Sequence, residues 1–260
     1  MGTRGFFPSS LCESGRAEIL AALEKQGIKA VILPIDATPR FGAVESLKEA
    51  RACADLFIKH KDEIEGVLVT LPNFGDERAV SNVLRWADLK VPVLVHAWCD
   101  DNDKLGVDCR RDSFCGKMSC CNNLRQYGIS YSLTTLHTDV ACSATFAADL
   151  KRFVGTCKVV KKLRNLRVGA LGARPAPFNT VRFSEKLLES AGISVETMDL
   201  SEMLGWVSRM KDQDGDVKAK LEEIRAYTDV SSVPEHNLIK MAKLGVGLDR
   251  WIEEQQLGGL

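Results

Sequence analysis

Two hydrophobic rhythms alternate along the chain. Short runs of apolar, largely β-branched residues are separated by longer stretches in which apolar positions return every three or four residues. The clearest short run is Gly66-Val67-Leu68-Val69-Thr70-Leu71-Pro72. It carries no charge and is bounded by glycine and proline, the pattern of a strand buried on both faces. Comparable runs predict strands over residues 28–33, 91–95, 131–136, 166–172 and 193–198. The intervening periodicity predicts helices from Leu11 to a stop at Gly27, and over residues 46–61, 77–87, 116–127 and 143–163, with another ending near Leu188. Beyond Leu200 only helices are expected, the last over residues 234–254.

Strands alternating with helices of ten or more residues predict a parallel sheet covered on both faces, with right-handed crossovers. The fold class read from this pattern is α/β, as two consecutive Rossmann- or flavodoxin-like parallel-sheet domains over residues 1–164 and 165–260, the second incomplete. A first strand belongs before Arg4, yet only three residues precede it. The second unit offers two strands, too few for a sheet that stands alone. Its last helix presents Leu238, Met241, Leu244, Leu248, Trp251 and Ile252 for burial, and Gly258-Gly259-Leu260 reads as a turn into a further strand. The expectation is a polypeptide that stops inside a domain.

In open α/β sheets ligands bind beyond the carboxyl ends of the strands. Three strand ends carry similar polar loops, at residues 4–8, 72–76 and 174–179. The tip Asn73-Phe74-Gly75 is the first place to look, since Asp76 and Glu77 then sit where a helix start favours negative charge. Arginine and asparagine offer fixed donors for hydroxyl or carboxylate groups, and the rings of Phe7, Phe74 and Trp98 offer a surface for a sugar face. Turn residues without a ligand are the competing reading.

Composition narrows the partners. The 260 residues are 45% hydrophobic and 27% charged, with Lys plus Arg and Asp plus Glu at 35 each. That balance gives no field to draw nucleic acid or an anionic membrane, and no apolar run approaches the roughly 20 residues of a membrane span. Nine cysteines, an odd number without any Cys-x-x-Cys, predict reduced thiols in a soluble cytoplasmic protein.

The irregular segment over residues 96–114 is rich in Asp, Asn, Cys and Arg. Asp100-Asp101-Asn102-Asp103 lacks the glycine and distal glutamate of a calcium loop. Asp108, Arg110, Arg111 and Asp112 form either a polar pocket wall or surface ion pairs. His96 and His137 lie near strand ends, where a general base or a structural histidine would both project. Cys115 sits near a helix start without a clear partner histidine. Gly169-x-x-Gly172 is not a dinucleotide fingerprint, and no phosphate-binding loop or nucleophile elbow occurs.

Four separated motifs then point one way. Thr3-Arg4-Gly5-Phe6-Phe7-Pro8 comes first, followed by Val69-Thr70-Leu71-Pro72-Asn73-Phe74-Gly75-Asp76-Glu77. Arg111-Asp112-Ser113-Phe114-Cys115-Gly116 with Asn122-Asn123-Leu124-Arg125 follows, then Gly172-Ala173-Arg174-Pro175-Ala176-Pro177-Phe178-Asn179. In this order they resemble the N-terminal part of the L-fucose/L-arabinose isomerase family, in its fucose-isomerase-like bacterial branch, over essentially the whole chain. The resemblance implies aldose–ketose isomerisation through an enediol assisted by Mn²⁺, whose Glu, Asp and His ligands lie downstream of the matched region. It also implies a homo-oligomer in which the first domain helps build a neighbouring subunit's active site around a monosaccharide. By resemblance Arg4, Asn73, Phe74 and Trp98 belong on that wall, and Asp112, Arg174 and Asn179 are further substrate-binding candidates. No catalytic or metal-binding residue is assigned here, and the chain alone is expected to be inactive. A non-catalytic sugar-binding or regulatory module, and an interaction protein of flavodoxin-like fold, remain open alternatives.

Overall fold

The computed structural model describes residues 1–260, which divide into two compact units, Met1–Lys161 and Lys162–Leu260. Both are α/β with parallel sheets.

In the first unit β1 (Val67–Leu71), β2 (Val93–Ala97) and β3 (Ser132–Leu133) lie side by side in that order. β1 and β2 pair from Val67 opposite Val93 to Leu71 opposite Ala97. The other edge of β1 is also occupied. Gly2 N donates to Thr70 O at 3.1 Å, Thr3 N to Val44 O at 3.0 Å and Val44 N to Met1 O at 2.9 Å. The lateral order is therefore Val44, residues 1–3, β1, β2, β3. The three residues before Arg4 do occupy a strand position, hydrogen-bonded on both sides.

The strand expected over residues 28–33 does not form. The Arg16 guanidinium takes the carbonyls of Leu33 at 2.7 Å and Phe41 at 3.1 Å, and the pairing beside Gly2 falls instead at Val44. The strand expected over residues 131–136 shrinks to β3. Beyond it Thr134 Oγ1 donates to Leu136 O, and Thr135 N to the Asp149 carboxylate, so the backbone turns away from the ladder.

Period-two alternation distributes the strand side chains between two helical layers. α1 (Ser10–Lys25) and α5 (Ala144–Leu163) bring Ile19, Leu23, Phe146 and Leu150 onto Leu94 and Trp98. On the other face lie α2 (Leu47–Lys59), α3 (Glu77–Ala87) and α4 (Ser113–Gln126). There Val80, Cys120, Cys121 and Leu124 bury Val67, Val69, Leu71, Val93 and Val95. Helix starts follow local chemistry: Ser46 and Glu49 form a capping box on α2, and Asp76 accepts from Ala79 N on α3 at 2.7 Å.

In the second unit β4 (Arg167–Leu171) pairs with β5 (Ser194–Met198). Gly169 N donates to Gly259 O and Gly258 N to Arg167 O, so the last residues begin a third position on the free edge of β4. Gly169 permits this, because a Cβ there would lie 2.4 Å from Leu260 and 2.7 Å from Leu257. The helices are α6 (Glu185–Ser190), α7 (Leu200–Arg209), α8 (Gly215–Tyr227) and α9 (Glu235–Gln255). Trp251, Met203, Met198 and Leu257 form one core, and Val217, Leu221, Leu238, Ala242 and Val246 another. Met241, expected on the buried face of α9, is 54% exposed. No helix in the chain is long and apolar enough to cross a membrane.

Candidate functional site

Residues 1–3 and β1 are neighbours in the sheet, but the chain leaves them for opposite faces, into α1 from the first and α3 from the second. Adjacent strands that diverge in this way open a crevice beyond their carboxyl ends, where ligands of open α/β sheets bind. The residues that emerge there are Arg4 from one strand and Asn73, Phe74, Asp76 and Glu77 from the other.

Asn73 holds the crevice together. It is fully buried, its Oδ1 accepts from Arg4 N at 3.2 Å and Gly75 N at 3.0 Å, and its Nδ2 donates to Thr3 Oγ1 at 3.0 Å. Its amide is occupied by protein groups, so its part is to fix the two loops against each other. The Arg4 side chain is about one-third exposed. Its Nη2 donates to Glu77 Oε2 at 2.7 Å, Asp76 lies 3.9 Å away, and its guanidinium carbon sits 4.5 Å from the centroid of the Phe74 ring. Two further contacts lock the Phe74 loop. Arg111 Nη1 donates to Pro72 O at 2.8 Å, and Gly116 of α4 packs so closely that a Cβ would fall 2.0 Å from Phe74 O. Burial lowers the pKa of Arg111.

Beyond the end of β2 is a hollow of about 460 Å³ lined by Cys99, Asp100, Asn102, Asp112, Phe114, Cys115 and Thr138. Asp112 sits in the left-handed region at φ 54° and leaves α4 uncapped by its own side chain. Asp100 caps the helix instead, accepting from Ser113 N at 2.8 Å, Ser113 Oγ at 3.1 Å and Phe114 N at 3.0 Å. The Asp112 carboxylate lies 3.2 Å from Arg110 Nε. A larger hollow, about 540 Å³, opens around the starts of β1 and β2 among Phe57, Arg85, Asp88 and Tyr127. None of the residues singled out in the sequence lines it.

The remaining candidates fall elsewhere. Trp98 is buried, donates from Nε1 to Glu18 Oε2 at 2.7 Å, and meets the His96 ring edge-on at 4.7 Å. It offers no open ring face and seats α1 on the sheet. His96 is buried between Thr70 Oγ1 at 2.9 Å and Asp139 O at 3.0 Å. Burial pushes its pKa down to about 4, so it is a neutral structural histidine at ordinary pH. In the second unit Asn179 is exposed and Arg174 partly buried. Arg174 Nη1 donates to the carbonyls of Pro175, Ala176 and Phe178 within its own loop.

Lys117 escaped the sequence reading. It is fully buried on α4, and its Nζ donates to Thr134 Oγ1 and His137 O, each at 2.7 Å. Burial pushes its pKa down to about 8. The signal was present, because positions 117, 120, 121 and 124 share one helical face and the last three are Cys, Cys and Leu. Nowhere in the chain do three His, Cys, Asp or Glu side chains converge to hold a metal ion.

A parallel α/β unit with a locked polar crevice at a reversal of strand order has the architecture in which open α/β sheets place their ligand sites. More particularly, the chain belongs to the fucose/sulfoquinovose isomerase family, whose N-terminal domain is matched by residues 1–164. It is also 24% identical over 220 residues to the sulfoquinovose isomerases of Priestia aryabhattai and Priestia megaterium (strain ATCC 12872 / QMB1551). The match covers 84% of this chain and 46% of each relative. The chain thus spans about half the length of the curated relatives it matches.

Proposed function

We propose that the chain is the N-terminal part of a sugar ketol isomerase that interconverts aldose and ketose of the L-fucose/L-arabinose type, and that the crevice of the first unit is one wall of its sugar site. The observation that carries this reading is the Arg4–Phe74 pair, held by Asn73 where the strand order reverses. The pair forms a flat platform that is apolar on the ring and rich in N–H groups beside it. Glu77 and Asp76 add acceptors for sugar hydroxyls, and buried Asn73 keeps the two loops in register. These residues bind and orient a sugar. No catalytic residue is assigned among them.

Two Rossmann- or flavodoxin-like domains, over residues 1–164 and 165–260, fit the observed strand order in the first unit and the three-position edge in the second. The family resemblance implies enediol isomerisation assisted by Mn²⁺, which would polarise the sugar oxygens. The residues of this chain do not fit that ion, since no ligand set converges, and no step here passes through it. The ligands are then expected downstream of the matched region, with the wall serving a neighbouring subunit's centre in a cytoplasmic homo-oligomer. Asp112, Arg174 and Asn179 are kept as substrate contacts made only in such an assembly.

The 260-residue chain alone is then inactive. Incubation with L-fucose, L-arabinose and sulfoquinovose in the presence of Mn²⁺ should yield no ketose, and metal-dependent turnover would refute the assignment of roles. A second reading, a non-catalytic sugar-binding module, is favoured by the same missing ligand set. Metal-independent sugar binding by a compact monomer would support it.

A further inference from the structure

The family name spans a neutral sugar, fucose, and a sulfonated, anionic one, sulfoquinovose. We infer from the geometry that the crevice of the first unit takes an uncharged sugar, and that Glu77 sets this specificity by neutralising Arg4. The inference rests on the sugar-site reading above and departs from the activity named for the matched relatives.

A sulfonate is recognised by a guanidinium or ammonium group whose charge no nearby carboxylate already answers. Four arginines around this crevice do not meet that condition. Arg4 carries Glu77 at 2.7 Å, with Asp76 a second carboxylate at 3.9 Å. Arg110, lying over the Phe6 ring at 5.2 Å, has the Asp112 carboxylate 3.2 Å from its Nε, which answers the charge although the buried Nε–H makes no aligned hydrogen bond. Arg40 donates to Gly5 O at 2.6 Å and Phe7 O at 2.8 Å, and Glu45 lies 3.7 Å from its Nε. Arg111 is turned inward onto Pro72 O, and the carboxylates of Glu18, Asp100 and Asp101 act on its charge.

An anion approaching Arg4 meets a guanidinium whose charge is already answered, and it meets the carboxylate that answers it. At separations of about 5 Å in a half-exposed site that repulsion is worth roughly fivefold or more in affinity. A hydroxyl faces no such penalty. It can donate to the Glu77 carboxylate and accept from a free N–H of Arg4, as a polyol requires. Arg78, exposed on the first turn of α3 and in no ion pair, is the one competing cation beside the crevice.

The test is calorimetric titration of the full chain with L-fucose and with sulfoquinovose, for wild type, Glu77→Gln and Arg78→Gln. Wild type should bind L-fucose at least tenfold more tightly. Glu77→Gln, which keeps the size of the side chain and frees Arg4, should raise sulfoquinovose affinity roughly fivefold and change L-fucose affinity by a smaller factor. Equal or tighter binding of sulfoquinovose by wild type overturns the inference and leaves the sugar site standing, as does sulfoquinovose binding that disappears in Arg78→Gln. An unchanged sulfoquinovose affinity in Glu77→Gln removes Glu77 from the account. Binding of neither sugar at millimolar concentration removes the sugar site itself, and the inference with it. The wild-type comparison needs no variant, so it decides the matter even where a substitution impairs folding.

Discussion

Pro72-Asn73-Phe74-Gly75 in the first unit and Pro177-Phe178-Asn179 in the second use nearly the same residues at the end of a parallel strand, yet they are held in opposite ways. The first loop is tied by partners far away in sequence. Arg4 and Thr3 bond to Asn73, Arg111 reaches Pro72, and α4 presses Gly116 against Phe74. The second is bonded only within itself, through Arg174 to three carbonyls of the same loop, and Phe178 is 55% exposed. The composition of a loop supplies candidate chemistry. Long-range contacts decide whether that chemistry is preorganised in the unit as it stands.

Substitution of Gly116 should break the first loop most severely. A Cβ at 2.0 Å from a backbone oxygen has no flexible neighbour to displace, so Gly116→Ala should lower the stability of the first unit by about 3 kcal/mol. Urea unfolding checks this, and a loss within about 0.5 kcal/mol would show that α4 and the Phe74 loop do not pack as described.

Acid and base act on the first unit through groups for which the second has no counterpart. His96 in the folded chain resists protonation down to about 4, whereas its ordinary value is 6.5. The unfolded chain binds that proton first, so stability falls as pH drops from 6.5 towards 4, by about 3 kcal/mol in full. Lys117 acts with the same sign at the other end. Folded, it releases its proton at about 8 rather than 10.5, so its contribution makes stability rise with pH across that window by a similar amount. His96→Gln should flatten the acid limb and Lys117→Met the alkaline limb. Unchanged slopes in both variants would contradict the burial described here.

The paired substitutions Asn73→Ala and Arg174→Ala sharpen the comparison with the smallest effects. Removing the Asn73 amide leaves the Arg4 and Gly75 N–H groups without their acceptor in a buried setting and should destabilise by about 2 kcal/mol. Arg174→Ala removes exposed contacts to nearby carbonyls and should change stability by no more than about 0.5 kcal/mol. Equal losses in the two variants would erase the distinction between the loops.

The elements legible in the sequence were those whose pattern and partners agree. β1 stands out as a β-branched run between Gly66 and Pro72, and α3 forms over the predicted residues 77–87 because Asp76 caps it and Val80 and Val83 share its apolar face. Residues 28–33 have the same β-branched character, but a strand also requires a neighbour, and Arg16 holds the Leu33 carbonyl instead. The crevice was legible as a place, since Asn73 and Arg4 are polar residues at strand ends. The roles were not, because only folding shows Asn73 buried, Trp98 covered by α1, and Arg4 answered by Glu77. Lys117 was hidden by its charge, although its helical face is apolar.

The most direct measurement is a titration of ¹⁵N-labelled chain with L-fucose, followed through the backbone amide shifts. The account predicts saturable shifts concentrated at Arg4, Gly5, Phe74 and Gly75, with the second unit's Arg174 loop silent. Shifts confined to that loop, or to the hollow around Arg85 and Tyr127, would contradict the assignment of the sugar to the crevice between residues 1–3 and β1.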